Sequence, residues 1–315
     1  MKTHMPTIIH TPLNCALSEA HRGHVAVMGN MDGVHKGHQV LIGEAARFAQ
    51  ERQKPLGAII FDPHPRQVFD PTGDPFLLTS REQKIALLGE QGIDTVFVVP
   101  FNRQLSMLSP EDFVNDILGN VLGLAGVVVG EGFRFGQKRA GTTQALESLG
   151  ESAGMSVHIV APAAMAGASE KYSSSQARQA LRDGKPEVAA DIMGRPFTVE
   201  GIVQKGQQLG RTLNFPTANI STENYIQPAK GVYAVTARIG ENEARGVANF
   251  GNRPTVDGKG VLLEVFLFDF DQDIYGETLS VSFHHFIRPE QKFDGLDALK
   301  AQIAADCDTA ARLLA

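Results

Sequence analysis

His35 and His38 stand three residues apart at the end of the run Gly29-Asn30-Met31-Asp32-Gly33-Val34-His35-Lys36-Gly37-His38. The run follows an apolar stretch, 24–28, that reads as a short buried strand. It precedes 39–50, in which Val40, Leu41, Ala45, Phe48 and Ala49 share one helical face. The glycines therefore form a strand-to-helix turn, with both imidazoles where the helix begins. The first amides of a helix lack internal partners and carry the positive end of its dipole, so they favour anions. Glycine lets an anion approach the backbone, and two imidazoles at this spacing can donate to one phosphate. The arrangement suits a nucleoside triphosphate and stabilisation of charge at a reacting phosphorus. An H-x-x-H pair also suits zinc, which needs a third and usually a fourth ligand; Cys15 and Cys307 are remote in sequence. A solvated turn with incidental histidines is the remaining reading.

Three more groups carry chemistry. Ser173-Ser174-Ser175 open a helix with Arg178 one turn on. Hydroxyls and helix amides hold phosphate oxygens, and a guanidinium bridges two of them; a plain serine cap with a surface arginine uses the same residues. In Gly210-Arg211-Thr212-Leu213-Asn214-Phe215-Pro216-Thr217-Ala218-Asn219 the Thr217 hydroxyl and Asn219 amide are oxygen donors suited to Mg²⁺. Small Ala218 lets both approach one phosphate; the alternative is a polar hairpin loop. Glu264 interrupts an apolar strand, where an acid is costly without a partner or a task. General base is one such task; the solvent side of a barrel strand is the plain alternative.

The elements that must hold these groups differ between the two halves. Up to about residue 186, strands at 58–61, 94–99, 126–129 and 156–160 alternate with helices. One helix is read over 79–89, with Thr79 and Glu82 as a capping box, and another is opened by Ser109-Pro110-Glu111-Asp112. Such alternation implies a parallel sheet covered on both faces, with ligands at the carboxyl ends of its strands. No G-x-G-x-x-G follows the first strand and no G-x-x-x-x-G-K-S/T occurs, which argues against a dinucleotide-binding dehydrogenase and a P-loop kinase. After about 194, short strand candidates at 199–203, 231–238, 245–249, 262–268 and 278–283 are separated by Gly, Pro, Asn and Asp, as in a small antiparallel barrel. An amphipathic helix over 296–313 closes the chain, with Phe293 as a candidate staple. The boundary is placed at 183–187, giving domains 1–185 and 186–315.

Composition fits two soluble domains. The chain has 315 residues, 43% of them hydrophobic, enough for two real cores. A net charge of −6 argues against a nucleic-acid scaffold. Two distant cysteines suit a reducing cytosol. No apolar run approaches the roughly 20 residues that span a bilayer, and 1–14 has no apolar signal core. The expectation is a cytoplasmic protein with no membrane or nucleic-acid partner.

The histidine turn resembles the H-x-G-H signature of the nucleotidyltransferases, with Met31 where Phe is usual. Phe61-Asp62-Pro63-His64-Pro65 resembles F-D-P-H-P, Val127 to Gly136 resembles V-V-G-E-N/D-F-R-F-G, and Ser173 to Arg178 resembles S-S-T-x-x-R. These mark the adenylyltransferase half of the bacterial bifunctional riboflavin kinase/FAD synthetases. The second half is similar to their kinase. Gly210 to Asn219 resembles G-R-x-x-G-F-P-T-A-N, and Gly251-Asn252-Arg253-Pro254-Thr255 resembles G-T-R-P-T. Leu263 to Phe270 resembles L-E-x-H-L-x-D-F with Phe266 for His, and Arg288 to Phe293 resembles R-x-E-Q-K-F. The motifs occur in order over nearly the whole chain.

The resemblance implies a Rossmann-like α/β domain with a parallel sheet, then a Greek-key antiparallel β-barrel. It implies phosphorylation of riboflavin to FMN by ATP, with ADP released, and adenylation of FMN to FAD with release of pyrophosphate, using Mg²⁺ with ATP. It assigns His35, His38 and Arg178 to stabilising the triphosphate and Glu264 to general base on the riboflavin 5′-hydroxyl. ATP would be held by Gly29, Asn30, Asp32, Gly33, Lys36, Gly37, Ser173, Ser174 and Ser175 in one site, and by Gly210, Arg211, Thr217 and Asn219 in the other. Thr217 and Asn219 would also bind the metal. Phe61, Asp62, Pro63, His64, Phe133, Phe135, Arg253 and Arg288 are the flavin-binding candidates, although some of the phenylalanines equally suit the core. Gly132 departs from the family, which places Asn or Asp there against the nucleotide or its metal. That departure keeps open a kinase with weakened or lost adenylyl transfer. A flavin-binding regulator with both sites degenerate is the rival of another class; the intact His35, His38, Arg178, Thr217, Asn219 and Glu264 speak against it.

Overall fold

The structure, a computed structural model, describes residues 5–161, 172–205, 215–252 and 261–315. Packing groups residues up to Gly73 with Arg81–Tyr172, and Asp74–Ser80 with Ser173–Ala315.

The first unit is a parallel sheet of β1 (Thr7–His10), β2 (Val25–Met28), β3 (Leu56–Asp62), β4 (Thr95–Pro100), β5 (Gly126–Gly130) and β6 (Ser156–Val160), in the order β1-β4-β3-β2-β5-β6. Its helices are α1 (Lys36–Glu51), α2 (Pro65–Phe69), α3 (Arg81–Glu90), α4 (Arg103–Ser106), α5 (Pro110–Asp112, continuing as the π-helical Phe113–Val121) and α6 (Thr143–Ser152). Alternate strand residues feed two cores. Val25, Val27, Ala58, Ile60, Val96 and Val98 pack with α1 and α3 residues such as Ile42, Ala45 and Leu88. Ala26, Met28, Ile59, Phe97, Val127 and Val129 pack with Phe113, Ile117 and Leu146 of α5 and α6. Strands buried on both faces read as continuous apolar runs, and all four residues of β2 are buried. β2 lies between β3 and β5, where the strand order reverses, so the turn after Met28 opens at the sheet's switch point.

Three local expectations meet the structure differently. β1 is unanticipated: only Ile9 of its four residues is buried, too little to give a pattern. α3 begins at Arg81, and Glu82 accepts from the Arg81 guanidinium at 2.8 Å rather than forming a capping box with Thr79. α5 begins as expected: Ser109 Oγ accepts from the Asp112 N–H at 3.0 Å and Pro110 is the first helical residue.

In the second unit β7 (Phe197–Ile202), β8 (Thr217–Ser221), β9 (Gly231–Ile239), β10 (Asn242–Asn252), β11 (Val261–Leu267) and β12 (Thr278–Pro289) form an antiparallel sheet in the order β7-β12-β9-β10-β11-β8. Gln204, just past β7, donates its N–H to the Asn219 carbonyl at 2.8 Å, so the two edges of the curled sheet meet. Tyr233, Val235, Ala248, Phe250, Leu263 and Val265 fill the interior. The helices are α7 (Ser174–Arg182), α8 (Pro186–Met193) and α9 (Leu296–Leu313). α9 has the anticipated bounds, and its Ala310 covers Val232, Ala234 and Val247 on the outer face. The 278–283 strand extends to Pro289 through irregularities at Phe283/His285 and Phe286/Arg288, which break the period-two pattern beyond 283. β8 was hidden inside the polar Gly210–Asn219 motif.

Candidate active sites

The turn between β2 and α1 is bent by three positive φ angles within four residues: Met31 has φ 49°, Gly33 82° and Val34 37°. For non-glycine residues, above all a β-branched valine, this region is strained. Met31 and Val34 are nonetheless fully buried, so the core holds the turn in place. His35 is the N-cap of α1, and its Nδ1 accepts from the His38 N–H at 3.3 Å. The neutral ring therefore carries its proton on Nε2 and presents a donor there. The two imidazoles stack with centroids 3.6 Å apart. A Cβ on Gly37 would lie 3.1 Å from the His35 ring and 3.3 Å from the Tyr172 carbonyl, so glycine is what lets the imidazole lie over the helix start. Lys36 Nζ lies 5.6 Å from the centroid of the Tyr172 ring. The first turn of α1 holds no acid. Cationic side chains at a helix N-terminus oppose the dipole by about 0.3–1 kcal/mol each; an anion reverses that sign. Asp32 and His35 are buried, Gly29 is half-buried and Asn30 is exposed at the mouth of the turn. Among the described residues no three His, Cys, Asp or Glu side chains gather as metal ligands.

The aromatic candidates divide. Phe135 is buried in the core, 5.7 Å from Phe113, and offers no face to a ligand. Phe133 is half-buried against the same core. Phe61 is half-buried and packs edge-on against Phe101 at 5.9 Å. Asp62 accepts from Arg81 at 3.1 Å, and the peptide to Pro63 is cis. His64 caps α2: its Nδ1 accepts from the Arg66 N–H, and its own N–H donates to Gln67 Oε1, both at 3.1 Å. The residue that sequence reading missed is Phe69. It ends α2, is 69% exposed, and is edge-on to Phe101 at 5.7 Å. Its exposure comes from a five-residue helix that has no sequence period to reveal it.

In the second unit Ser173 Oγ accepts from the Gln176 N–H at 3.2 Å, so this hydroxyl is a helix cap. Ser174 is half-buried and Ser175 exposed. Arg178 Nε donates to the Phe76 carbonyl at 2.7 Å, with the guanidinium 5.4 Å from that ring.

The outer face of the barrel gathers the remaining groups. Register pairs Asn219 of β8 with Glu264 of β11, Glu264 with Asn249 of β10, and Thr217 with Phe266. Directly opposed residues share a sheet face with Cβ atoms about 4.5–5.5 Å apart. Glu264 is half-buried between the fully buried Leu263 and Val265, so it points outward. That face is not plain solvent, because Asn219 on it is 6% exposed. Thr217 and Asn219, two residues apart on one strand face, present hydroxyl and carboxamide oxygens that fit a hard divalent cation. Arg288 has its fork engaged within the protein. Its Nε and Nη2 are bidentate to Asp306 of α9 at 2.9 and 2.7 Å, and Asp306 is 3% exposed. Gly210, Arg211 and Arg253 lie outside the described residues.

The FAD synthetase family profile matches residues 17–176 and the riboflavin kinase profile matches 193–314. The chain is 39% identical to a bifunctional riboflavin kinase/FMN adenylyltransferase of Escherichia coli K12 over 92% of this chain and 93% of that one. It is 41% identical to the protein of that description from Pseudomonas fluorescens, over 95% of each. It is 36% identical to the one from Bacillus subtilis, over 98% of each. A crystal structure described as a macrolide-efflux protein from Streptococcus pneumoniae superposes with a TM-score of 0.84 at 30% identity, covering 98% of this chain and 99% of that one. Among the described residues no helix is long and apolar enough to cross a membrane. The chain belongs to the bifunctional riboflavin kinase/FMN adenylyltransferase family.

Proposed function

We propose that the chain makes both flavin cofactors: it phosphorylates riboflavin to FMN with ATP and adenylates FMN to FAD with release of pyrophosphate. The functional division is placed between 1–185 and 186–315, where Gly184 takes φ 68° and Pro186 opens α8. The observation that carries the kinase reading is the Asn219–Glu264 pairing, which sets a carboxylate beside the donors for phosphate.

In the kinase, Glu264 takes the proton of the riboflavin 5′-hydroxyl as that oxygen bonds to the γ-phosphorus and the bond to ADP breaks; such a base contributes typically 10²–10⁴-fold. Mg²⁺, held by Thr217 and Asn219, would supply charge neutralisation on the ATP phosphates. Gly210, Arg211 and Arg253 are assigned to ATP and flavin from their motifs.

In the adenylyltransferase the 5′-phosphate of FMN attacks the α-phosphorus in line. It is already an anion, so positioning and electrostatics replace a base. The Nε2–H of His35, with His38, Lys36 and the amides of α1, stabilises the triphosphate. For Arg178 and the serines this role rests on the motif. Exposed Phe69, backed by Phe101, supplies an apolar face for the flavin ring, with Phe61 against the same Phe101 ring and Phe133 further along the row of rings through Phe113 and Phe135.

Incubation with riboflavin and Mg-ATP followed by separation of flavins tests the proposal: FAD is the expected end product. Glu264→Ala removes FMN formation and leaves FMN-to-FAD conversion, and His38→Ala does the reverse. Loss of both activities in either variant, with the fold intact, overturns the two-site assignment.

A further inference from the structure

The barrel register puts a second carboxamide beside Glu264. Asn219 flanks the acid on β8 and Asn249 flanks it on β10, the three residues forming one row across neighbouring strands. We infer that Asn249 binds the polyhydroxyl chain of the flavin substrate and so sets specificity for a ribityl-type alcohol in the kinase reaction. This rests on the assignment of Glu264 as the base.

The row has an order. Asn219 lies at the end given to phosphate and metal, Glu264 at the hydroxyl that reacts, and Asn249 one strand further, about 4.8 Å on. Beyond Asn249 the row reaches Val232, which is 7% exposed and lies in the apolar cluster under α9. Asn249 is thus the last polar position before an apolar surface. Its strand neighbours are the core residues Ala248 and Phe250, 0% exposed, so its own side chain leaves the barrel interior on the Glu264 side. It is half-buried. Among the described residues it makes no side-chain hydrogen bond. An amide with no partner in the protein is available to a ligand that both donates and accepts. A chain of secondary hydroxyls, which must extend from the reacting 5′-oxygen away from ATP, has that chemistry at that distance.

The test compares riboflavin with a flavin bearing a 5-hydroxypentyl chain, which keeps the reacting hydroxyl and lacks the secondary ones. The wild type, Asn249→Ala, Asn249→Leu and Glu264→Gln are assayed with saturating Mg-ATP. The wild type is expected to lose about tenfold in kcat/KM with the pentyl alcohol, the worth of a hydrogen bond whose partner is removed. Asn249→Ala and Asn249→Leu are expected to fall about tenfold with riboflavin, to discriminate less than about twofold between the two flavins, and to keep the KM for ATP. A merely structural role would lower both substrates together and preserve the wild-type ratio; that result overturns the inference, as does a wild type that ignores the missing hydroxyls. Circular dichroism and thermal melting, together with the KM for ATP, report folding of the barrel that carries Asn249, and whichever Asn249 variant retains them is the one read. Glu264→Gln is expected to be inactive with both flavins. If it turns over, the base assignment fails; if it is dead and the Asn249 variants keep wild-type discrimination, only the role of Asn249 fails.

Discussion

Gly132→Asn is expected to raise adenylyl transfer. The family resemblance puts Asn or Asp at this position against the nucleotide or its metal, and glycine offers nothing. A hydrogen bond to a charged group contributes about 1.5–3 kcal/mol, or roughly tenfold to a hundredfold in kcat/KM at about 1.4 kcal/mol per decade. The structure permits the change. Gly132 is exposed in a turn closed by the Phe133 N–H donating to the Gly130 carbonyl at 2.9 Å, its φ is not in the left-handed region, and an added Cβ meets nothing within 4 Å. Asn is a favoured turn residue, and loss of glycine's unfolded-state freedom stabilises by up to about 1 kcal/mol. The Tm should therefore hold or rise by a few degrees. The assay is the initial rate of FAD formation from FMN and Mg-ATP, with riboflavin phosphorylation as an internal control that should not move. Glu131→Ala in both backgrounds tests whether the neighbouring acid stands in for the missing side chain: it should slow the wild type and leave Gly132→Asn fast. An unchanged or slower FAD rate at intact Tm would refute the reasoning, because space and backbone leave no other obstacle.

Further perturbations separate packing from chemistry. Gly37→Ala favours α1 by propensity but drives a methyl into the His35 ring, so FAD formation should fall at least tenfold while melting stays within a few degrees and the kinase is unaffected. Asp306→Ala leaves the Arg288 guanidinium, 18% exposed, without its bidentate partner and should destabilise the second unit by roughly 3–5 kcal/mol in urea unfolding; an effect below about 1 kcal/mol would show that the pair is not buried in solution. His24 is buried beside Phe97, with Nε2 3.2 Å from Thr95 Oγ1, and desolvation by burial lowers its pKa below 6.5. The unfolded chain then binds a proton that the folded one resists, so stability should be full above pH 6.5 and decline as pH falls through the folded pKa; His24→Gln should flatten that slope. Phe69→Ala should raise the KM for FMN in adenylyl transfer and leave Tm nearly unchanged, because the ring is 69% exposed; a large loss of Tm would mean that it is a packing residue.

The parts of the fold legible in the sequence are those whose signal is local. β2 to β5 announce themselves as largely apolar runs buried on both faces, the half-buried β6 by its Val157, Ile159 and Val160, and α9 because a long helix repeats its stripe several times. β1 has one buried residue and α2 has five residues in all, so neither completes a period. β8 escaped because its residues read as the polar tail of a binding motif. Thr217-Ala218-Asn219 is both: Thr217 and Asn219 face the site while Ala218 and Ile220 enter the core, one of them only 9% and the other 0% exposed. Period-two alternation was present, but two chemical residues stood on its polar phase and drew the eye to function.

The two sites were readable to different depths for the same reason. The adenylyl-transfer turn is encoded in ten consecutive residues, and its glycines and histidines carry most of its chemistry in the sequence itself. What the sequence withheld there is the strain at Met31 and Val34, a property of how two buried side chains fix the backbone. The kinase site is assembled from three strands, β8, β11 and β10, the first two more than 40 residues apart, and only their register makes Asn219, Glu264 and Asn249 neighbours. A one-residue slip of β11 would turn Glu264 into the core and Leu263 or Val265 outward. The apolar alternation that fills the barrel therefore also fixes which side of the sheet the acid faces, and Leu263→Asp should damage phosphorylation through folding, whereas Glu264→Gln removes it with the fold retained. Arg288 shows the converse. Its sequence neighbourhood pointed to a ligand, but the arginine is bound to an acid 18 residues away on α9, a partner that no local spacing could have supplied.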